Sequence, residues 1–116
     1  VNIPLNHLRV SNTIRDAVAS WAKTMANELG KFYITENNIL AGFTNTQRLA
    51  LLIEQIAKKG NVLVDVVSKN MADEVPMKRF GEASEVAAGA AFLATPAASY
   101  VNGVSIPVDG GRTGSI

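Results

Sequence analysis

Thr44 and Thr46 follow Gly42 at the end of a run of β-branched and apolar residues. A strand closing on Ala41-Gly42 presents bare backbone and then two hydroxyls at its carboxyl end, the edge at which open α/β sheets bind ligands. The same residues also suit a plain strand-to-helix turn in which a threonine caps the next helix. Other reactive-looking groups offer less. Gly110, Gly111 and Gly114 follow a strand with no helix after them, which reads as a flexible C-terminus rather than a phosphate cradle. Glu82 and Glu85 stand three apart in a first helical turn, where the helix dipole favours carboxylates without any acid-base role. His7, flanked by Pro4 and Asn6, reads as a solvated loop residue, and Trp21 and Phe92 read as core. With 1 histidine and 0 cysteines, the chain excludes disulfide scaffolds, thiol nucleophiles, zinc fingers and His-based triads, and no metal site is expected.

The elements that must position these groups follow from hydrophobic period. Ile14, Ala17, Val18, Trp21, Met25 and Leu29 recur at helical spacing, with Ser11 or Asn12 able to cap the start and Gly30 the end. Residues 32–40 are rich in β-branched and aromatic side chains and predict a strand of about six residues, within 34–40, that Gly42 breaks. Leu49, Leu52, Ile53 and Ile56 repeat a helical stripe, capped by Thr44, Asn45 or Thr46 and stopped by Gly60. Residues 62–67 contain four valines, yet the spacing Leu63, Val66, Val67, Asn70, Met71, Glu74 favours a helix, which Pro76 closes. Residues 78–81 read as a loop. An alanine-rich helix begins at Glu82 or Ser84, with Val86, Ala90, Phe92 and Leu93 on its buried side, and ends at Pro96. Residues 104–108 read as a last strand in which Pro107 needs no ladder donor. The order helix, strand, helix, helix, helix, strand is that of an α/β layered domain with a parallel sheet.

Composition bounds the rest. The 116 residues are 47% apolar and 18% charged, a globular balance, and predict one domain. Eleven Lys+Arg against ten Asp+Glu leave a net charge of +1, with basic residues clustered only as pairs, so no nucleic-acid or membrane-surface partner is expected. Residues 86–98, the least polar stretch, fall short of the roughly 20 apolar residues a span needs. The N-terminus has neither Met nor a signal-peptide pattern, so the chain reads as a cytoplasmic fragment.

Several short words occur in order: Val75-Pro76-Met77-Lys78-Arg79-Phe80-Gly81-Glu82, then Ala91-Phe92-Leu93-Ala94, then Ala98-Ser99-Tyr100-Val101-Asn102-Gly103 leading into Pro107-Val108-Asp109-Gly110-Gly111. Upstream stand Lys23-Thr24-Met25-Ala26-Asn27-Glu28-Leu29, Ile34-Thr35, Asn37 and Ala41-Gly42-Phe43. Together they resemble the C-terminal part of short-chain dehydrogenases/reductases, most of all the 3-oxoacyl-acyl-carrier-protein reductase-like group. The resemblance implies residues 1–116 as a single partial domain, the C-terminal half of a Rossmann-like doubly wound parallel sheet. It also implies NADP or NAD as cofactor, a small carbonyl substrate such as a 3-oxoacyl thioester, and a homo-oligomer. A complete member is about twice as long and carries its glycine-rich dinucleotide turn and catalytic serine in its first half.

By the same resemblance, counting back eight residues from Lys23 places the family's catalytic lysine at Arg15, and four further back its catalytic tyrosine at Ser11. Both depart from the pattern. Arg15 can still hydrogen-bond ribose hydroxyls, but it is permanently charged and passes no proton on, and serine is a far weaker acid than a phenol. The family's Pro-Gly word is Ala41-Gly42 here, so the implied cofactor contacts are Arg15, Ala41, Gly42, Thr44 and Thr46. Glu36 falls where the family buries an apolar residue, which requires either a partner or an irregular strand. Two functions remain open: a carbonyl oxidoreductase of which this is the C-terminal part, inactive alone, and a non-catalytic relative serving binding or oligomerisation.

Overall fold

The computed structural model describes residues 9–114; His7 lies outside them. The elements are α1 (Arg9–Leu29), β1 (Asn38–Ala41), α2 (Gln47–Gly60), α3 (Val64–Asp73), α4 (Ala83–Leu93) and β2 (Ser105–Val108), with single 3₁₀ turns at Gly30–Phe32 and Pro96–Ala98. This is the expected order. β1 and β2 form a two-stranded sheet. Asn38 N–H donates to the Val104 carbonyl at 2.9 Å and Gly42 N–H to the Val108 carbonyl at 3.1 Å, an equal advance on both strands that makes the pair parallel.

The described residues divide into two compact units, one holding those up to Leu40 with Gly89–Ile106, the other Ala41–Ala88 with those from Pro107 onward. In the first unit the buried residues are Ala22, Ala26 and Ala98. Small side chains there let the backbone of residues 102–103 approach α1. The Asn102 amide donates to the Ala26 carbonyl at 3.1 Å, and Lys23 Nζ donates to the Gly103 carbonyl at 3.1 Å. Trp21, expected in the core, is 59% exposed and Phe92 is 48% exposed. Residues along a helix are spaced about 100° apart, so the face that Ala22 and Ala26 press inward turns Trp21 outward.

The expected strand across residues 34–40 is corrected to four residues, because the chain first makes a 3₁₀ turn and Tyr33 takes a left-handed φ of 60°. Between that turn and β1, side-chain amides replace the ladder. Asn102 Oδ1 accepts from Glu36 N–H at 2.9 Å, Asn37 Nδ2 donates to the Val101 carbonyl at 3.0 Å, and Asn37 Oδ1 accepts from Val104 N–H at 3.2 Å. The irregular segment leaves Glu36 half-buried.

In the second unit α2 and α3 pack Leu49, Ile53, Ala57 and Val67 into one cluster flanked by Phe43, Met71 and Phe80. Helical spacing thus outweighs the β preference of the valines in α3. Gly60 is the last residue of α2 rather than its stop, and Asn61 closes the helix in the left-handed conformation at φ 51°. The start of α4 is built by Glu85, which accepts from Glu82 N–H at 2.7 Å and takes two bonds from Arg79 at 2.7 and 2.9 Å. No residue of α4 is fully buried: Val86 and Leu93 are half-buried, whereas Ala90 and Phe92 are exposed. Among the described residues no helix is long and apolar enough to cross a membrane.

Candidate functional site

Residues 42–46 leave the end of β1 along a path set by three neighbours. Gly42 packs against the segment after β2 so closely that a methyl group there would lie 2.6 Å from Asp109 Cβ. Only glycine fits. Phe43 and Asn45 then straddle Gly81: Gly81 N–H donates to the Phe43 carbonyl and Asn45 N–H to the Gly81 carbonyl, both at 2.8 Å, a parallel bridge between Thr44 and Gly81. The segment expected as a plain loop at 78–81 therefore lies beside residues 43–45 as an extra one-residue rung.

The threonines divide their work. Thr44 Oγ1 donates to the Gly42 carbonyl at 3.1 Å, tightening the turn. Thr46 is the N-cap of α2, its hydroxyl accepting from Leu49 N–H at 3.3 Å. The capping reading of Thr46 is thus real, yet an accepting hydroxyl keeps its own O–H to give to a ligand. Asn45 Nδ2 donates to Glu82 Oε1 at 2.6 Å. Beside these residues a cavity of about 420 Å³ is lined by Asn45, Thr46 and Phe80 and floored by Leu49 and Ile53.

Of the expected cofactor contacts, the second unit brings Ala41, Gly42, Thr44 and Thr46 onto one continuous stretch. Ala41 and Thr46 are exposed; Gly42 and Thr44 are half-buried. In the first unit, Ser11 and Arg15 lie four residues apart in the opening turns of α1 and so share one helix face. Ser11 is half-buried and Arg15 exposed. Among the described residues no group of His, Cys, Asp or Glu is placed to hold a metal.

Sequence reasoning missed the order in the tail. Burial pushes the Asp109 carboxyl upward, but bonds from the Thr113 hydroxyl and from the amides of Thr113, Gly111 and Arg112 outweigh it and hold the group below the usual carboxylate range. The turn that results places Arg112 with its guanidinium carbon 4.1 Å from the centre of the Phe43 ring. Asp-Gly-Gly followed two residues later by threonine is the local signal of such a turn. The stacking partner, nearly seventy residues upstream, has none.

The family described as enoyl-(acyl carrier protein) reductase matches residues 2–113. The chain is 34% identical over 113 residues to the NADPH-dependent reductase BacG of Bacillus subtilis, covering 97% of this chain and 44% of that protein. It is 35% identical over 94 residues to the 3-oxoacyl-[acyl-carrier-protein] reductase FabG of Staphylococcus epidermidis, covering 81% and 34%. Among solved structures, YwfH, an NADPH-dependent reductase involved in bacilysin biosynthesis, superposes with a TM-score of 0.90 at 34% identity, over 97% of this chain and 43% of that one. The chain therefore spans under half the length of these relatives. With the parallel strand pair, the glycine-threonine segment after β1 and a match over nearly every residue, this chain belongs to the short-chain dehydrogenase/reductase family and has the α/β architecture of its Rossmann-like fold.

Proposed function

We propose that this chain forms the C-terminal part of an NADP- or NAD-dependent carbonyl oxidoreductase, with 3-oxoacyl thioesters as the leading substrate class. The observation that carries this reading is residues 42–46: a glycine that tolerates no side chain, at the carboxyl end of a parallel strand, followed by two positioned threonine hydroxyls. Gly42 with Ala41 offers bare backbone to a flat ring, and Thr44 and Thr46 offer hydroxyls to an amide or a phosphate oxygen. Arg15, on α1, is suited to ribose hydroxyls. A nicotinamide dinucleotide, when bound, supplies or accepts the hydride. Tight binding of its pyrophosphate needs helix N-terminal backbone donors, which the family carries in its first half.

Ser11 and Arg15 shape the second reading. A catalytic acid needs a pKa near the working pH, and a serine hydroxyl beside a permanent cation does not meet that need. Their presence at the family's tyrosine and lysine positions favours, as the alternative, a non-catalytic relative acting as a cytoplasmic binding or oligomerisation module. If the protein is active, another residue or an ordered water gives the proton.

The test compares this chain alone with the same chain joined behind the N-terminal part of the Bacillus subtilis reductase. NADPH binding is followed by fluorescence and NADPH oxidation with acetoacetyl thioester. The chain alone is expected to bind weakly and turn nothing over, and the joined protein to bind NADPH. Ser11→Tyr with Arg15→Lys in the joined protein is expected to raise turnover. A joined protein that folds and binds no NADPH overturns the cofactor reading, and one that binds but reduces nothing in either form favours the module.

A further inference from the structure

Beyond β2 the chain reads Asp109-Gly110-Gly111-Arg112-Thr113, and the Asp109 carboxylate organises all of it. Oδ1 accepts from Gly111 N–H at 2.9 Å, and Oδ2 accepts from Thr113 N–H at 2.8 Å and from Thr113 Oγ1 at 2.5 Å. Gly110 and Gly111 supply the left-handed backbone at φ 64° and 88°, and the Gly110 carbonyl is tied to Met77 N–H at 3.2 Å. This turn projects Arg112 onto one face of Phe43, while Phe80 meets the same ring edge-on, its centre 6.0 Å away at 82°. Phe43 is thereby held on two sides, and it sits between Gly42 and Thr44.

The chemistry at Arg112 argues for holding rather than for catching an anion. Its guanidinium faces Glu74 Oε2 at 3.6 Å, so the positive charge is already balanced by a carboxylate, and an incoming phosphate would meet that carboxylate as well. A planar, weakly hydrated guanidinium packs flat on an aromatic face as an ammonium does not. We propose that Arg112 is a positioning residue: stacked on Phe43 and set by the Asp109 turn, it holds residues 42–46 in the shape that presents Gly42, Thr44 and Thr46 to the nicotinamide end of the cofactor. The cofactor part of this rests on the reading given under Proposed function.

Arg112→Met, Arg112→Lys and, as a remote control, Lys69→Ala test it. The first readout is amide hydrogen exchange in the 116-residue chain and in the joined protein. Arg112→Met is expected to speed exchange at Asn45 and Gly81, the two amides of the Gly81 bridge, about five-fold, with Ile53 in the helical core unchanged. Arg112→Lys should lie between Met and the unsubstituted protein, and Lys69→Ala should change neither amide. The second readout is the Kd of the joined protein for NADPH and for ADP-ribose, which lacks the nicotinamide. Arg112→Met should raise the first about five-fold and the second by clearly less, since ADP-ribose keeps only the phosphate that a threonine hydroxyl could reach. Unaltered exchange at Asn45 and Gly81, or equal acceleration at Ile53, overturns the proposal, as does equal weakening of both ligands. If the unsubstituted joined protein binds no NADPH, the cofactor reading fails, and the exchange result decides the role of Arg112 by itself.

Discussion

Glu85 takes three donated bonds on one carboxylate, two from Arg79 and one from the Glu82 amide. Foremost the Arg79 hydrogen bonds, and then the Glu82 amide, hold its pKa at about 2 against an ordinary 4.5. Arg79, by the same pairing, stays protonated more firmly than a free arginine. A folded-state pKa below the unfolded value means the group adds stability that is complete above about 4.5 and is lost as pH falls toward about 2. Both side chains are substantially exposed, at 49% and 43%, so solvent screens the effect. Thermal melts of the wild type should therefore fall modestly in that acid window, and melts of Glu85→Gln should show a flatter decline with its own loss already present at neutral pH. Identical acid profiles would show that the α4 cap draws nothing from the charge. Asp109 has the same sign: bonds from Thr113 and the turn amides overcome burial, so the tail turn also loosens in acid.

Among the elements, the join between residue 36 and β1 is built by Asn37 and Asn102, not by strand pairing. Asn102 donates to the Ala26 carbonyl and accepts from the Glu36 amide, both half-buried contacts. Asn102→Ala strands a donor and an acceptor at once and should cost about 2 kcal/mol, read as a lower urea midpoint with unchanged slope. A midpoint shift near zero would mean that water replaces the amide. The same feature explains what could be read in advance. The helices announced themselves locally: Leu49 and Ile53 recur at helical spacing, Thr46 caps α2, and Val67 and Met71 select helix over strand in α3. The parallel pairing of β1 and β2 followed from element order and family likeness. Residues 34–37, by contrast, look like strand by composition, and the asparagines that divert them bond to groups more than sixty residues away. Arg112 on Phe43 is hidden for the same reason, since contacts between distant segments leave no spacing in the sequence. Trp21 was misread because a helical stripe shows which residues share a face, not which of two neighbouring faces is covered.

For the molecule as a whole, α1 leaves an apolar face open to solvent. Ile14, Val18 and Trp21 form a stripe on α1 with exposures of 59%, 50% and 59%, and among the described residues the sheet has two strands, each with an open edge. Apolar surface of this extent is normally covered by further chain or by a second copy. We expect the chain to self-associate through α1: light scattering on the order of tens of micromolar should give a mass above the monomer, with Trp21 emission shifting to the blue as concentration rises. Trp21→Glu should lower that mass, and a monomer at every concentration would refute the expectation. The asparagine lock bears on something other than shape, namely how the protein ages. Asn102 precedes Gly103, the pair most prone to spontaneous deamidation, in which the glycine amide nitrogen attacks the asparagine carbonyl carbon and ammonia leaves. Here the Gly103 amide donates to the Glu36 carbonyl at 2.8 Å, the glycine sits at φ 72°, and the Asn102 side chain is bonded at both ends. Nucleophile and target are each engaged in hydrogen bonds, so the fold slows this reaction at its own asparagine join, and whatever loosens residues 36–37 starts a clock that the folded chain holds back.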